Sequence, residues 1–417
     1  MGMLFKIALR NILRHKRRTI TSAITIAVGI MFFLFMDSVM SGLDRGGIDN
    51  MIELSASAVK AQTRAYENEK EAFPLKYGIG NLAGLRALLA NDPRVIGTTP
   101  RTQFLGQLSN DRQTVPVVGT VVDPSSDTTV FGPKRFLIGN WLSGDTREII
   151  LGKRLAQDMG VGVGGYITLY ALTKYDSRNA DEFSVAGVLN TSDPGINQST
   201  VILSYAAAND FLDLEGLVTE ADIAIKRRVN LRDMAADAAD VKRKIASIFP
   251  DLAPATFMDI GASFLEIAKS KRAFGVIFLL LLLLIAGVGI FNTVLMSIYE
   301  RIREVGVLRA HGMAPAQVTL MFVLEGFITG LAGSALGVLL GSCATWALVV
   351  YGYPIDKMTG NGDMTAGMPF WGTVYGEWNV PAIIAMFIFG TLVATIAGLI
   401  PARKAGSMQV TDALRFA

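Results

Sequence analysis

Glu300–Gly312 reads ERIREVGVLRAHG, and what surrounds it decides how the chain is built. An apolar run long enough to cross a bilayer precedes it, and a second such run follows. The stretch itself is charged, helical in composition and closed by a glycine. About four turns of charged helix between two spans have to lie at a membrane surface, within reach of something soluble. A cytoplasmic partner is expected to push on the membrane part here.

The composition agrees with a partly membrane-bound chain. Of its 417 residues 51% are hydrophobic and 18% charged, against about 25% charged in an ordinary soluble protein. Mean hydropathy is +0.40. The apolar residues gather at the start and in the last third, which predicts spans plus a soluble domain. A net charge of +3 does not suggest the concentrated basic face of a nucleic-acid binder, so no nucleic-acid partner is expected. Cys343 is the only cysteine, which excludes an internal disulfide and a cysteine metal cluster. His15 and His311 are too few and too far apart to suggest a metal site, so no metal ligands are expected.

Working outward from the charged stretch, residues 1–18 form a basic amphipathic helix. Phe5, Ala8, Leu9, Ile12 and Leu13 recur at helical spacing with Lys6, Arg10, Arg14 and Arg17 between them, a pattern suited to an anionic membrane surface. A signal peptide is the competing reading. The apolar run that follows is too long for one, and no small-residue cleavage site stands out. Residues 19–43 are the first span, with the basic cluster Arg14, Lys16, Arg17 and Arg18 at its near end, which puts the N-terminus in the cytoplasm. Residues 44–271 are then a large domain on the far side, mixed α and β, with two subdomains. Residues 272–299 are the second span, 300–315 the cytoplasmic coupling segment and 316–350 the third span. Residues 351–380 are an outer loop, 381–400 the fourth span and 401–417 a cytoplasmic tail. The fold class is a four-helix multi-pass membrane protein with a large α+β domain between helices 1 and 2, both termini inside.

Within the domain, Asn81–Asn91, Lys153–Met159 and Leu231–Phe249 read as helices, the last with Asn230 as its cap. VPVVGTVV from Val115, REIILG ending a strand at Ile150, YITLYAL, EFSVAGVL and STVILS read as strands. Gly160–Gly165, GVGVGG, is not a dinucleotide loop, because a helix precedes it and a strand follows; it is a turn. In the third span Gly326 and Gly330, and Gly333, Gly337 and Gly341, are four apart. These ridges allow close helix approach, either within this chain or at a dimer seam.

The chemistry that is absent narrows the function. There is no G-x-x-x-x-G-K-[ST] phosphate loop, no G-x-S-x-G elbow and no H-E-x-x-H pair. The spans hold few ionisable residues beyond Asp37 and Glu325, where an ion-coupled carrier would need several. Asp37 marks either a cargo path or a hydrated interface position. Energy has to come from elsewhere.

Four motifs in order carry a resemblance over nearly the whole chain. ALRNILRHKRRT (Ala8–Thr19), LGKRLAQDMGVGVGGYITL (Leu151–Leu169) with FSVAGVLNT after it, ERIREVGVLRAHG, and LIPARKAGSMQVTDALR (Leu399–Arg415) resemble the four-span permeases of bacterial ABC systems that act on the periplasmic side. Those are the lipoprotein-releasing, macrolide-exporter and cell-division permeases, and the likeness is strongest to the first. His311 stands where the family has an apolar residue, and Pro315 is unusual after Gly312. The resemblance implies a non-enzymatic permease of the bacterial inner membrane. It would pair with a second permease, the same chain or a related one, and with separate ABC ATPase chains that carry ATP and Mg; this chain would hold no cofactor. Glu300, Arg301, Arg303, Glu304, Gly306, Arg309 and Gly312 would couple to the ATPase, the charged ones through charge-assisted contacts.

Three functions compete on that footing. Lipoproteins could be extracted from the outer leaflet and handed to a periplasmic carrier, entering near Asp37, Met40, Phe274 and Phe278. Small molecules or peptides could be exported through an adaptor and an outer-membrane duct. A non-transporting lever could signal to a cell-wall hydrolase.

Overall fold

The computed structural model describes residues 2–407 apart from 15, 111, 145–146, 192, 229 and 355–372; some helix side chains, Arg18 and Phe278 among them, also lie outside that description. Expectations for His15, for much of the outer loop and for the segment after residue 407 fall there. The longer helices are α1 (Gly2–Arg14), α2 (Lys16–Met51), α3 (Leu82–Ala90), α4 (Leu231–Ile248), α5 (Ala262–Glu300), α6 (Ile302–Ala310), α7 (Pro315–Tyr351) and α8 (Val380–Ser407). They belong to two compact units. A helical unit comprises residues 1–43, 268–353 and 374–417, and an α+β unit comprises 44–267 with 354–373.

Three helices are long and apolar enough to cross a membrane among the described residues: Thr19–Ala56, Pro315–Tyr351 and Val380–Ser407. Four spans were expected. The remaining apolar run lies on α5, a helix of 39 residues, several of whose side chains are outside the described set. Two helices outrun their expected ends. Beyond residue 43, α2 continues and closes with a π-helical turn at Ile52–Ala56. Pro401 does not end α8, although it removes one helical hydrogen bond. Pro401, Ala402, Ala405 and Gly406 are all buried. The carbonyls of Ala402 and Gly406 accept from Thr319 Oγ1 (3.3 Å) and Arg309 Nη1 (2.9 Å). Packing holds the helix where local propensity would stop it.

All five ridge glycines face helices of this same chain. A Cβ on Gly326 would lie 3.3 Å from the Ala394 carbonyl oxygen of α8, and one on Gly330 2.5 Å from the Ala394 Cβ. Gly333, Gly337 and Gly341 face α2 at Ala23, Ala27 and Leu34. Ile26, Ile30 and Leu34 of α2 complete that core with Met386 and Ala394 of α8.

The α+β unit is organised by one long strand. Its strands are β1 (Val59–Thr63), β2 (Val95–Ser109), β3 (Thr114–Val122), β4 (Leu137–Gly139), β5 (Glu148–Gly152), β6 (Tyr166–Leu172), β7 (Arg178–Leu189), β8 (Thr200–Ser204), β9 (Glu220–Ile225) and β10 (Leu252–Thr256). Pairings β2–β3, β3–β8, β8–β5, β5–β7, β7–β6 and β6–β2 close a ring. Closure removes exposed strand edges. Phe104, Leu108, Phe183, Val201 and Leu203 belong to the core here. The first half of β2 pairs instead with β9, which continues through β1 to β10. Leu85 and Leu89 of α3 and Met234, Val241 and Ile245 of α4 pack with this second layer. Asn81 caps α3 by accepting from the Gly84 amide at 2.8 Å. Asn230 occupies the N-cap position of α4 but does not cap it: its amide donates to Asp233 at 3.3 Å instead.

Candidate functional site

Helix α6 is short and half sunk. Ile302, Val305 and Gly306 are buried, and Val305 joins Ile298, Val318, Met321, Phe322, Ala402 and Ala405 in one apolar cluster. Gly312 has φ +93, a left-handed conformation that glycine adopts without strain. Its amide bonds the Arg309 carbonyl (3.0 Å) and the Met313 amide bonds that of Leu308 (3.1 Å). This is a Schellman stop, and it returns Met313 to the same cluster. The helix is thereby held against α7 and the end of α8.

The seven expected coupling residues divide. Glu300, Arg303, Glu304 and Gly312 are on the exposed side. Arg301, Gly306 and Arg309 are not: Arg301 is 5% exposed, Gly306 is buried and Arg309 bonds the Gly406 carbonyl. Charge in the sequence suggested an outward face, but a guanidinium beside a buried carboxylate turns inward. Arg301 Nε donates to Glu304 Oε2 at 2.8 Å and Nη1 to Glu325 Oε1 at 3.0 Å. Asn11 Nδ2 of α1 donates to the same Glu325 oxygen at 2.9 Å. Burial opposes the Arg301 charge, but Glu304 and Glu325 outweigh it and hold its pKa above the ordinary value. Val307, 46% exposed, and His311 join Arg303 on the outward side. That apolar member was missed, because an isolated valine in a charged stretch carries no signal of its own.

Of the four expected cargo-path residues, the side chains of three are described. Asp37 is half-buried and accepts from Asn379 Nδ2 at 2.9 Å, just before α8. Met40 is half-buried and Phe274 is 71% exposed. Phe278 lies outside the described side chains.

A second ionic cluster lies in the α+β unit, where sequence reading singled out none of its members. Arg101 and Asp127 form a buried bidentate pair at 2.7 and 3.0 Å, with the Arg101 guanidinium 3.3 Å from the centre of the Phe131 ring. Lys60 Nζ lies 3.1 Å from Glu220 and 3.9 Å from Asp222, and Ser57 Oγ donates to Asp222 at 2.9 Å. The only available signal was the alternation in EADIAI, whose acids share one strand face and whose Ala221, Ile223 and Ile225 share the other. Burial, partly offset by Lys60, pushes the Asp222 carboxyl up to about 7. The folded state therefore binds this proton more tightly than the unfolded chain. Stability from Asp222 is full at acid pH and lost as pH rises from the ordinary carboxylate range through about 7. Hydrogen exchange of β1 and β9 in the full chain is expected to show about 1–3 kcal/mol less protection at pH 8 than at pH 5. Asp222→Asn should flatten that difference. Among the described residues no group of three or more His, Cys, Asp or Glu side chains could hold a metal.

Comparison with known proteins gives the class. Residues 19–248 match the family described as MacB-like periplasmic core domain, and residues 276–410 match FtsX-like permease C-terminal. The chain belongs to this family of ABC-transporter permease subunits. It is 24% identical over 430 residues to the lipoprotein-releasing system transmembrane protein LolC of Xylella fastidiosa, covering 97% of both chains. A macrolide export ATP-binding/permease protein MacB of Bdellovibrio bacteriovorus is 31% identical over 134 residues, 32% of this chain and 18% of that one. Among solved structures, the periplasmic region of MacB from Actinobacillus actinomycetemcomitans aligns with TM-score 0.35 at 12% identity, covering 52% of this chain and 96% of that one.

Proposed function

We propose that this permease carries the movement of a separate ATPase, which holds ATP and Mg, to its α+β unit, and uses it to extract lipoproteins from the outer leaflet of the bacterial inner membrane. In this reading both termini and α6 are cytoplasmic, the α+β unit is periplasmic, and a second permease and a periplasmic carrier complete the system. The observation that carries it is α6: an outward face of Arg303, Val307 and His311 on a helix whose inward face is built into the membrane body. A soluble partner pressing there moves the ends of α7 and α8. Full-length similarity to a lipoprotein-releasing protein supports the cargo class. The cargo route proposed passes Met40 and Phe274, with Asp37 fastened to Asn379 beside it.

Val307→Asp is expected to weaken association with the cognate ATPase about 30-fold, the loss of one interface hot spot, without unfolding the permease. Unchanged association would remove α6 as the docking face. For cargo, the wild-type permease–ATPase complex in nanodiscs should co-purify with triacylated lipoproteins and release them with ATP. The match to a MacB-like core supports a second reading, export with an adaptor. Capture of an adaptor with no bound lipoprotein would favour it.

A further inference from the structure

We propose that Arg301, Glu325 and Asn11 form a charge-locked joint that makes α1, α6 and α7 move as one piece, so that a push on α6 is transmitted instead of being absorbed by bending. The inference rests on α6 being where the ATPase docks.

The chain breaks its helix at Arg301, between α5 and α6, with φ −116 and ψ 19. A break of this kind is ordinarily a hinge, since a few residues at an element's end absorb the change in backbone angle. Here the hinge residue is itself tied down. Its guanidinium reaches forward to Glu304 and across to Glu325, and lies 5.7 Å from the centre of the Phe322 ring. Glu325 sits almost three turns inside the apolar helix α7 and takes a further hydrogen bond from Asn11. Arg301 and Glu325 side chains are 6% and 11% exposed.

Such a pair is a poor way to gain stability, because desolvation consumes most of the attraction; its best attested use is to fix registry. An ionisable group inside a membrane helix points to function by default, and this one has its partner in place. The low dielectric makes the contact directional and stiff. The glycine-ridged face of α7 then passes the motion on to α2 and α8, which it contacts closely.

The test uses the full permease assembled with its cognate ATPase in nanodiscs. Three quantities are read: ATPase co-purification, ATP hydrolysis rate, and the ATP-dependent change in hydrogen exchange of β1 and β10. Glu325→Gln and Arg301→Gln should leave co-purification and hydrolysis within about 2-fold and cut the exchange change about 5-fold or more. Arg301→Lys, which keeps the charge, should retain most of it. A purely structural role would lower all three quantities together and would not distinguish lysine from glutamine. If the glutamine variants fail to assemble, Asn11→Ala carries the test: it removes one hydrogen bond to the Glu325 carboxylate, leaves the Arg301–Glu325 pair in place, and should still reduce the exchange change at least about 2-fold. An undiminished exchange change in assembled variants, or equal loss with lysine and glutamine, overturns the joint. A wild-type chain that binds no ATPase overturns the coupling reading instead, and is recognised before any variant is made.

Discussion

Replacing Arg101 by methionine is expected to destabilise the α+β unit by about 3–5 kcal/mol, the cost of leaving one member of a buried ion pair without its partner. Asp127 is fully buried, and Arg101 meets both of its carboxylate oxygens. Methionine trades the guanidinium–ring contact with Phe131 for a sulfur–ring one of similar reach, so the loss measures the orphaned carboxylate more than missing volume. Hydrogen exchange in the full chain should rise first in β2 and β9, because Arg101 stands opposite Glu220 across that ladder. The double variant Arg101→Met, Asp127→Leu should recover most of the loss. If it is as damaged as the single variant, packing and not charge governs the site.

Gly337→Leu should be comparably damaging in the helical unit. The first added carbon would already stand 2.9 Å from the Ala27 Cα and carbonyl oxygen and from the Ile30 Cβ. Backbone cannot move aside as a side chain can, so α2 and α7 have to separate. The contacts of Ile26, Ile30 and Leu34 go with them, for a loss of about 3 kcal/mol. The control is Gly29→Leu, at a glycine with nothing within 4 Å of its would-be Cβ. Heating both variants in detergent should leave the control folded where Gly337→Leu has aggregated. Equal survival would mean that the seam is not close-packed.

Periodicity explains which parts of this architecture sequence reading reached. The long apolar runs, α3 with its leucines on one face, and β3, β6 and β8 with their flanking turn residues all carry strong local patterns. Strand β9 did not show itself, because the partners of its acids, Lys60, Gln62 and Ser57, come from far away in the chain. Strand β2 is interrupted by Gly97, Pro100 and Gly106 and serves three different partners along its length. In the coupling segment the motif and its glycine stop were readable. Which charges turn inward was not, since that depends on Glu325 and Asn11, one on α7 and the other on α1. That α8 runs on past Pro401 has a related reason: tertiary packing outweighs the proline.

The pairing of β1 with β10 sets Val59 directly opposite Thr256, so the strands that open and close the α+β unit lie side by side, about 5 Å apart. Immediately beyond them the π-helical turn at Ile52–Ala56 finishes the α2 region on one side. On the other, a reciprocal capping box between Thr256 and Asp259 starts the return toward α5. A segment whose two ends meet in this way is a cassette. Its bulk can grow or shrink without moving its two ends apart, provided what replaces it also begins and ends on neighbouring strands. What is spliced between residues 59 and 256 can therefore change while both ends stay on the same pair of strands.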